Sequence, residues 1–435
     1  MCGISGVLSD KESNSLDIKS TAAIMSNILS HRGPDDSGLW VNPEKTCAMS
    51  HSRLAIIDLS SAGHQPMKSQ CGRYTIVFNG EIYNHHDLKF ELEKRKLSHF
   101  VWKGHSDTEI FLEAIRVWGL KKALQKSNGM FAIALWDHKK KRLSLARDRL
   151  GEKPLYFGWI NQNFAFASEL KAFHAFREFS NQIDENALNL FLQYSYVPAP
   201  YSIYKDIYKL EPGTILSLST DDSQSALNQL PVAPLHHRSI DIEKYWALDS
   251  IAAEGQSNLI LDEDYAVAEL ERMLTDSIKL QSISDVPIGA FLSGGTDSSL
   301  IAALMTKNHA NPINTFSTGF NESSFNEAVY AKEVAHYLGT NHHELYVSDN
   351  EARDVIPLLS SIYSEPFADS SQIPTFLVSK LAKSSVTVAL TGDAGDELFG
   401  GYNRYSLGSK LWKNFYFLPF KIRKVLGASL EHIPP

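Results

Sequence analysis

The chain lacks most of what marks an exported or membrane-bound protein. Across 435 residues, no uninterrupted apolar run approaches the roughly 20 residues that a spanning helix needs. No basic stretch followed by an apolar one opens the N-terminus, so no export signal is expected. Cysteine is scarce. Cys2, Cys47 and Cys71 are the only three, and none falls in a CxxC spacing. That scarcity excludes a disulfide framework and a thiolate zinc site and points to a reducing compartment, with the cytoplasm as the expected location. An excess of one charge is also missing. Lys and Arg number 42 against 50 Asp and Glu, a net charge of -8. No electrostatic footprint for nucleic acid or an anionic membrane follows, so neither is expected as a partner. Small anionic ligands must then be held by local devices. His31, His51, His64, His85, His86 and His105 include no i, i+4 metal-ligand pair with a further carboxylate nearby. They read as surface or hydrogen-bonded structural residues, and no zinc site is expected.

What is present divides into two patterns. In the first half, "YTIVFNGEIYN" (74–84), "MFAIALWDHKKKRLSLARD" (130–148) and "FAFAS" (164–168) alternate like strands between polar turns. Helices are predicted at about 20–30, 85–96 and 106–118, the last capped by Ser106 or Asp107. From 218 to 243 the apolar periodicity fades into what reads as a surface excursion or linker.

The second half alternates strand and helix. An amphipathic helix is predicted over 263–281 through Val267, Leu270, Leu274 and Ile278, followed by a strand at 286–292 and a helix from about 299. Strands at 313–320, 343–348 and 386–392 and helices at 326–338 and 373–384 continue the alternation. Such alternation implies a doubly wound parallel sheet. The expected domains are 1–217, a connecting excursion at 218–260, and 261–435.

Ligands of such sheets sit beyond the carboxyl ends of the strands, where two glycine-rich turns fall. In "SGGTDSS" (293–299), Ser293, Gly294 and Gly295 let backbone N–H groups approach phosphate oxygens, helped by Ser298 and the following helix N-terminus. A carboxylate beside phosphate, here Asp297, makes sense if it holds Mg2+. In "TGDAGDELFGGY" (391–402), Asp393, Asp396 and Glu397 crowd into one turn, which again suits a cation, with Asp396 the second expected ligand. Taken alone, each turn also suits an ordinary β-to-α connection with a helix cap.

These two stretches resemble the pyrophosphate loop and acidic loop of the ATP-pyrophosphatase family that includes asparagine synthetases. The resemblance implies that ATP is split to AMP and pyrophosphate and that a carboxylate is adenylated before it meets an amine. It places Leu292 and Thr318 in the adenine nucleoside pocket, with Thr391 and Gly392 beside it. No lysine of a GxxxxGK[ST] loop is present, so transfer of the terminal phosphoryl group is not indicated.

This reading gives Cys2 a purpose. With Met1 removed, thiol and free α-amine belong to one residue, and the amine serves as the thiol's base. In "FNGEIYN" (78–84), the Asn79 amide and Gly80 N–H suit an oxyanion hole. Arg53 suits a bidentate grip on an amino-acid carboxylate, and Glu81 and Asp107 suit its α-ammonium. Singly, each has a plainer reading: a buried small hydrophobe for Cys2, a hairpin turn for Asn79 and Gly80, an ion pair for Arg53, a helix cap for Asp107.

Their order, however, is similar to class II glutamine amidotransferases. The blocks "MCGISG", "HRGPDDSG", "SHSRLAIIDLS", "FNGEIYN", "HSDTEI", "NGMFAIALWD", "RDRLGEKPLYFG" and "FASELKA" follow one another as in that family. The resemblance implies an α+β N-terminal nucleophile hydrolase domain of stacked antiparallel sheets with helices, ahead of the α/β ATP-pyrophosphatase domain. The two together resemble glutamine-hydrolysing asparagine synthetases, with glutamine, ATP and aspartate as substrates, Mg2+ as cofactor and a homodimer as a compatible assembly. The family's acidic loop is followed by a long, mostly helical region, whereas this sequence reaches "LEHIPP" soon after "GGYNRY", so an incomplete C-terminus is expected. The stretch "SEPFADSSQIPTFLVSK" (364–380) is similar to relatives found beside surface-polysaccharide functions, which makes a uronic acid the alternative acceptor. A glutamine- or ATP-sensing binding protein is the alternative outside enzymes, against which the intact Cys2, Asn79, Asp297 and Asp396 stand.

Overall fold

The computed structural model describes residues 1–10, 16–94, 101–224, 226–227, 229–320 and 326–430. Positions 95–96 of the helix expected over 85–96, and the terminal 431–435, lie outside the described residues. The chain divides into two compact units, Met1–Pro287 with Ser348–Leu377, and Ile288–Val347 with Val378–Pro435.

Thirteen strands are described in the first unit: β1 (Gly3–Leu8), β2 (Asp36–Val41), β3 (Cys47–Arg53), β4 (Met67–Lys68), β5 (Tyr74–Ile82), β6 (Gly129–Asp137), β7 (Arg142–Arg147), β8 (Tyr156–Ile160), β9 (Asn163–Ala167), β10 (Ile207–Lys209), β11 (Thr214–Ser219), β12 (Leu235–His237) and β13 (Ile240–Lys244). They form two antiparallel sheets, ordered β10-β8-β9-β1-β3-β2 and β12-β13-β11-β7-β6-β5-β4.

Period-two alternation decides how these sheets stack. Along β6, Ala132, Ala134 and Trp136 join Ile4 and Leu8 of β1 and Phe164 and Phe166 of β9 in one buried cluster. Phe131, Ile133 and Leu135 point the other way, onto Ile110, Phe111 and Ala114 of the helix Asp107–Trp118. On the far face of the other sheet, Val7, Ala165 and Ala167 pack with Ala22 and Met25 of the helix Ile18–Ile28. The result is helix, sheet, sheet, helix, with a dry core between the sheets and another beneath each helical layer. The Ser106 side chain accepts the Glu109 N–H at 3.2 Å, so Ser106 is the cap and Asp107 is free to face inward.

Two elements differ from expectation. The stretch 218–243 contributes β12 and β13, which extend the second sheet by pairing onto β11. These strands are three and five residues long, too short for alternation to show, and only Leu235, Ile240 and Ile242 turn inward. In the helix Glu263–Gln281, Ile278 is buried while Val267 and Leu270 are exposed.

Residues 348–377 join the first unit through charge. The Glu365 carboxylate pairs with Lys209, accepts the Ile203 N–H at 2.8 Å and receives the Tyr156 hydroxyl at 3.3 Å. Both charged side chains are largely buried, so each holds the other in place.

The second unit is a parallel sheet ordered β16-β15-β14-β17, from β14 (Ile288–Phe291), β15 (Asn314–Phe320), β16 (Asn341–Val347) and β17 (Val388–Leu390). Helices Thr296–Asn308 and Ala328–Leu338 link the first three strands. The order runs outward on one side from β14 to β16 and then returns to β17 on the other, so the switch point lies between β14 and β17. None of the described helices is long and apolar enough to cross a membrane.

Candidate functional site

β1 and β3 pair with Gly3 opposite Ser52, which sets Cys2 beside the chain leaving β3. The Leu54 N–H points at Cys2 Sγ from 3.4 Å, and the Leu54 carbonyl lies 3.6 Å from the same sulfur. Arg32 donates from Nε to the Cys2 carbonyl at 2.8 Å and from Nη1 to Glu169 at 2.6 Å, which fixes the backbone under the thiol. Burial pushes the Cys2 thiol up, and the Leu54 N–H opposes it. Burial also lowers the Met1 amine to about 6.

A cavity opens from Cys2, and Arg53, Asn79, Gly80, Glu81 and Asp107 all line it. Arg53 ends β3 and its guanidinium is held by the Ser60 carbonyl at 3.0 Å and by the Asp58 carbonyl. A Cβ on Gly63 would stand 1.9 Å from Arg53 Nη2, so a larger residue there would have to displace the guanidinium. Asn79 lies on β5 with its side chain toward the core side that Val77 shares, and is only 1% exposed. Neither Oδ1 nor Nδ2 of Asn79 has a hydrogen-bond partner among the described residues. An amide buried in this way is costly unless something fills the pocket beside it. A Cβ on Gly80 would sit 2.1 Å from the Met130 carbonyl, so glycine lets β5 close onto β6 here.

Asp107 accepts the Ile82 N–H at 2.8 Å and the Thr108 N–H at 2.6 Å, yet burial outweighs these bonds and raises its carboxyl to about 6. Burial, and after it the Asp107 charge, holds the Glu81 carboxyl well above the usual carboxylate range. Two acids pressed together in a half-closed pocket form a natural receptor for one cation. The pocket also holds Lys153, Gln65 and Met130, to which the sequence reading gave no place. Lys153 and the Arg32–Glu169 pair lie inside "RDRLGEKPLYFG", "HRGPDDSG" and "FASELKA", so the blocks flagged the segments without assigning their charges.

In the second unit the two glycine turns meet at the switch point. The Ser293 and Ser298 hydroxyls lie 2.9 Å apart, and Ser298 Oγ also receives the Ser293 N–H at 3.2 Å. Gly294 has φ +83, and a Cβ there would reach 2.6 Å from Tyr330. The helix starts at Thr296, earlier than expected, so Asp297 and Ser298 stand in its first turn. Leu292 is buried and donates its N–H to the Phe316 carbonyl, which sets it beside β15, where Thr318 follows two residues on. Thr391 donates to Asp393 at 2.9 Å, and Gly392 abuts the next turn, a Cβ there lying 2.7 Å from the Ser298 nitrogen.

Gly395 lies against Asp297, whose Oδ2 would be 2.3 Å from a Cβ. Asp396 turns its carboxylate toward Gly401, 1.7 Å from the place of a Cβ. Among the described residues no group of three or more His, Cys, Asp and Glu converges on one point. Asp297 and Asp396 are the carboxylates that the two turns would offer a hard cation.

Comparison with known proteins agrees with both halves. Residues 1–230 match the glutamine amidotransferase domain family, and residues 269–432 match the asparagine synthase family. The chain is 36% identical over 452 residues to a putative glutamine-hydrolyzing asparagine synthetase 2 of Methanocaldococcus jannaschii, covering 99% of this chain and 81% of that protein. It is 34% identical to glutamine-hydrolyzing asparagine synthetase 1 of Bacillus subtilis, covering 98% of this chain and 62% of that one. A putative glutamine-hydrolyzing asparagine synthetase of Mycobacterium tuberculosis is 35% identical, again with 96% of this chain and 62% of the relative covered. The chain therefore spans less than two thirds of the length of the last two relatives. From amidotransferase domain through asparagine synthase domain, the chain belongs to the glutamine-hydrolysing asparagine synthetase family.

Proposed function

We propose that the protein makes asparagine from aspartate, with glutamine as nitrogen donor and ATP as the activating substrate. The observation that supports its glutamine-hydrolysing half is Asn79, a buried amide with no hydrogen-bond partner among the described residues, in one cavity with Cys2, Arg53 and Asp107. An orphan donor beside a nucleophile is what an oxyanion needs.

The steps follow from the chemistry of the residues. With Met1 removed, the Cys2 amine takes the thiol proton, and Sγ attacks the carboxamide carbon of glutamine. The oxygen that gains charge turns to Asn79 Nδ2 and the Gly80 N–H, the amide nitrogen leaves as ammonia, and water then releases glutamate from the thioester. Arg53 grips the glutamine α-carboxylate, and Glu81 and Asp107 receive its α-ammonium. In the second unit, Ser293, Gly294, Gly295 and Ser298 cradle the ATP phosphates, Leu292, Thr318, Thr391 and Gly392 bound the nucleoside, and the acceptor carboxylate attacks the α-phosphate. Pyrophosphate leaves, ammonia displaces AMP, and the amide forms. Asp297 and Asp396 would hold Mg2+, which neutralises phosphate charge when bound. On this reading residues 1–217, with β12 and β13 added to their second sheet, carry glutamine hydrolysis, and 261–435 carry adenylation.

Asn79→Ala tests the assignment, with an expected loss of about 10²–10³ in kcat for glutamine hydrolysis and a smaller change in KM. An unchanged kcat would remove Asn79 from the oxyanion hole. Incubation with ATP, Mg2+, glutamine and a panel of carboxylates that includes aspartate and a uronic acid identifies the acceptor by its amidated product.

The raised Asp107 carboxyl gives a pH prediction. Above about pH 6 it is ionised and receives the ammonium of glutamine, and below that it is protonated and does not. The KM for glutamine should therefore climb by about tenfold per pH unit below pH 6, as the competent fraction falls. A KM that stays flat down to pH 5 would show that another group takes the ammonium.

A further inference from the structure

Arg53 is seated by backbone rather than by an acid. Among the described residues its hydrogen-bond partners are the carbonyls of Asp58 and Ser60, so the shape of the loop after β3 decides where the guanidinium points. Asp58 shapes that loop. It lies in the left-handed region, with φ +59, and is 1% exposed. A residue other than glycine stays there only when its surroundings hold it.

Its holders are identifiable. The Asp58 carboxylate takes the Ser60 N–H at 3.1 Å, the Ser60 hydroxyl, and the His105 N–H at 2.8 Å. The Asp58 N–H donates to Asp285 Oδ2 at 2.8 Å, and the same oxygen lies 2.7 Å from His105 Nε2. The Asp285 N–H returns to the Ile56 carbonyl at 2.9 Å. Asp285 thus braces the pocket loop at Ile56 and Asp58, and holds His105 two residues before Asp107. In sequence it stands three residues ahead of β14, the strand that leads to the "SGGTDSS" turn.

We propose that Asp285 is a positioning residue for the glutamine pocket, fixing the left-handed Asp58 whose carbonyl seats Arg53. This rests on the reading of the Cys2 cavity as a glutaminase site. Asp285 touches no substrate: its side chain acts through Asp58 and His105, and its backbone N–H, which substitution keeps, holds Ile56. Its effect therefore falls on glutamine capture, while Cys2 and Asn79 keep their places. A residue distant in sequence from the amidotransferase motifs thereby completes their substrate grip.

The test uses the full chain and basal glutamine hydrolysis without ATP. Asp285→Ala should raise the KM for glutamine about tenfold, the scale of one hydrogen bond to a charged group, with kcat within about twofold. Asp285→Asn keeps an oxygen for the Asp58 N–H and should recover most of the loss. A general structural defect would lower kcat and the melting temperature together, and would not be rescued by asparagine. If Asp285→Ala does not fold, Asp285→Asn paired with His105→Ala carries the test, and His105→Ala should raise KM more. A KM that stays at the wild-type value in Asp285→Ala, or in both substitutes when that variant fails to fold, overturns the proposal. A diazoketone analogue of glutamine, applied first to the wild type, separates the two ideas. Failure to label Cys2 there removes the glutaminase reading, whereas labelling with an unmoved KM removes only the role of Asp285.

Discussion

Replacing Cys2 with alanine is expected to lower glutamine hydrolysis by roughly 10⁴-fold or more, the scale on which enzymes lose rate when the nucleophile itself is deleted. The fold should survive. Among the described residues, Cys2 Sγ meets only the Leu54 backbone in hydrogen-bond range, and the carbonyl held by Arg32 belongs to the main chain, which alanine keeps. Stability should therefore fall by no more than the typical cost of a single substitution, about 1 kcal/mol. Cys2→Ser should be severely impaired, because a hydroxyl holds its proton more tightly than a thiol and a neutral amine is too weak a base to compensate. The same argument demands a free amine on Cys2. Intact-mass measurement should find active enzyme beginning at Cys2. Full activity in protein that retains Met1 would defeat the mechanism, since an amide nitrogen does not take the thiol's proton.

Sequence legibility followed the length of the pattern. β5 and β6 alternate over nine residues each, and the two faces separate cleanly, Phe131, Ile133 and Leu135 from Ala132, Ala134 and Trp136. The stacked sheets could be read from such runs. β12 and β13 could not, because three to five residues containing His236, His237, Asp241 and Glu243 look like polar excursion. The pocket residues were legible as members of ordered blocks, and the structure places Cys2, Arg53, Asn79, Gly80, Glu81 and Asp107 around one cavity. Their electrostatics were not. Nothing in "EIYN" or "HSDTEI" announces that burial raises both Glu81 and Asp107 and that the Asp107 charge raises Glu81 further, because that depends on a strand end and a helix start being buried together in space. The same holds for Glu365, whose partners Lys209, Tyr156 and Ile203 lie more than 150 residues away and carry no local signal. Asp285 is a third case. In sequence it is one acid before a strand, and only the left-handed Asp58 beside it gives it a task.

Substitution of Asp297 or Asp396 should divide the two chemistries. Asp297→Asn and Asp396→Asn keep the side-chain shape and remove the charge. Each is expected to lower ATP-dependent amide formation and ATP/pyrophosphate exchange by about 10²-fold or more, the loss of several kcal/mol of charge stabilisation at phosphate. Basal glutamine hydrolysis should remain, because Cys2 and its pocket belong to the other compact unit. The packing around Asp297 offers an independent check. A methyl group on Gly395 would stand 2.3 Å from Asp297 Oδ2, closer than any unstrained contact allows, so Gly395→Ala must push the carboxylate away without altering its charge. If position matters as well as charge, Gly395→Ala should reproduce the Asp297→Asn phenotype: exchange lost and glutaminase retained. Titration of the wild type with Mg2+ should restore exchange with saturation, and the half-saturating concentration should rise in both variants. Equal loss of glutamine hydrolysis and exchange in a folded Asp297→Asn protein would contradict the division of labour. Full exchange in Asp297→Asn and Asp396→Asn alike would remove both carboxylates from the metal and leave the acidic turn as a helix start.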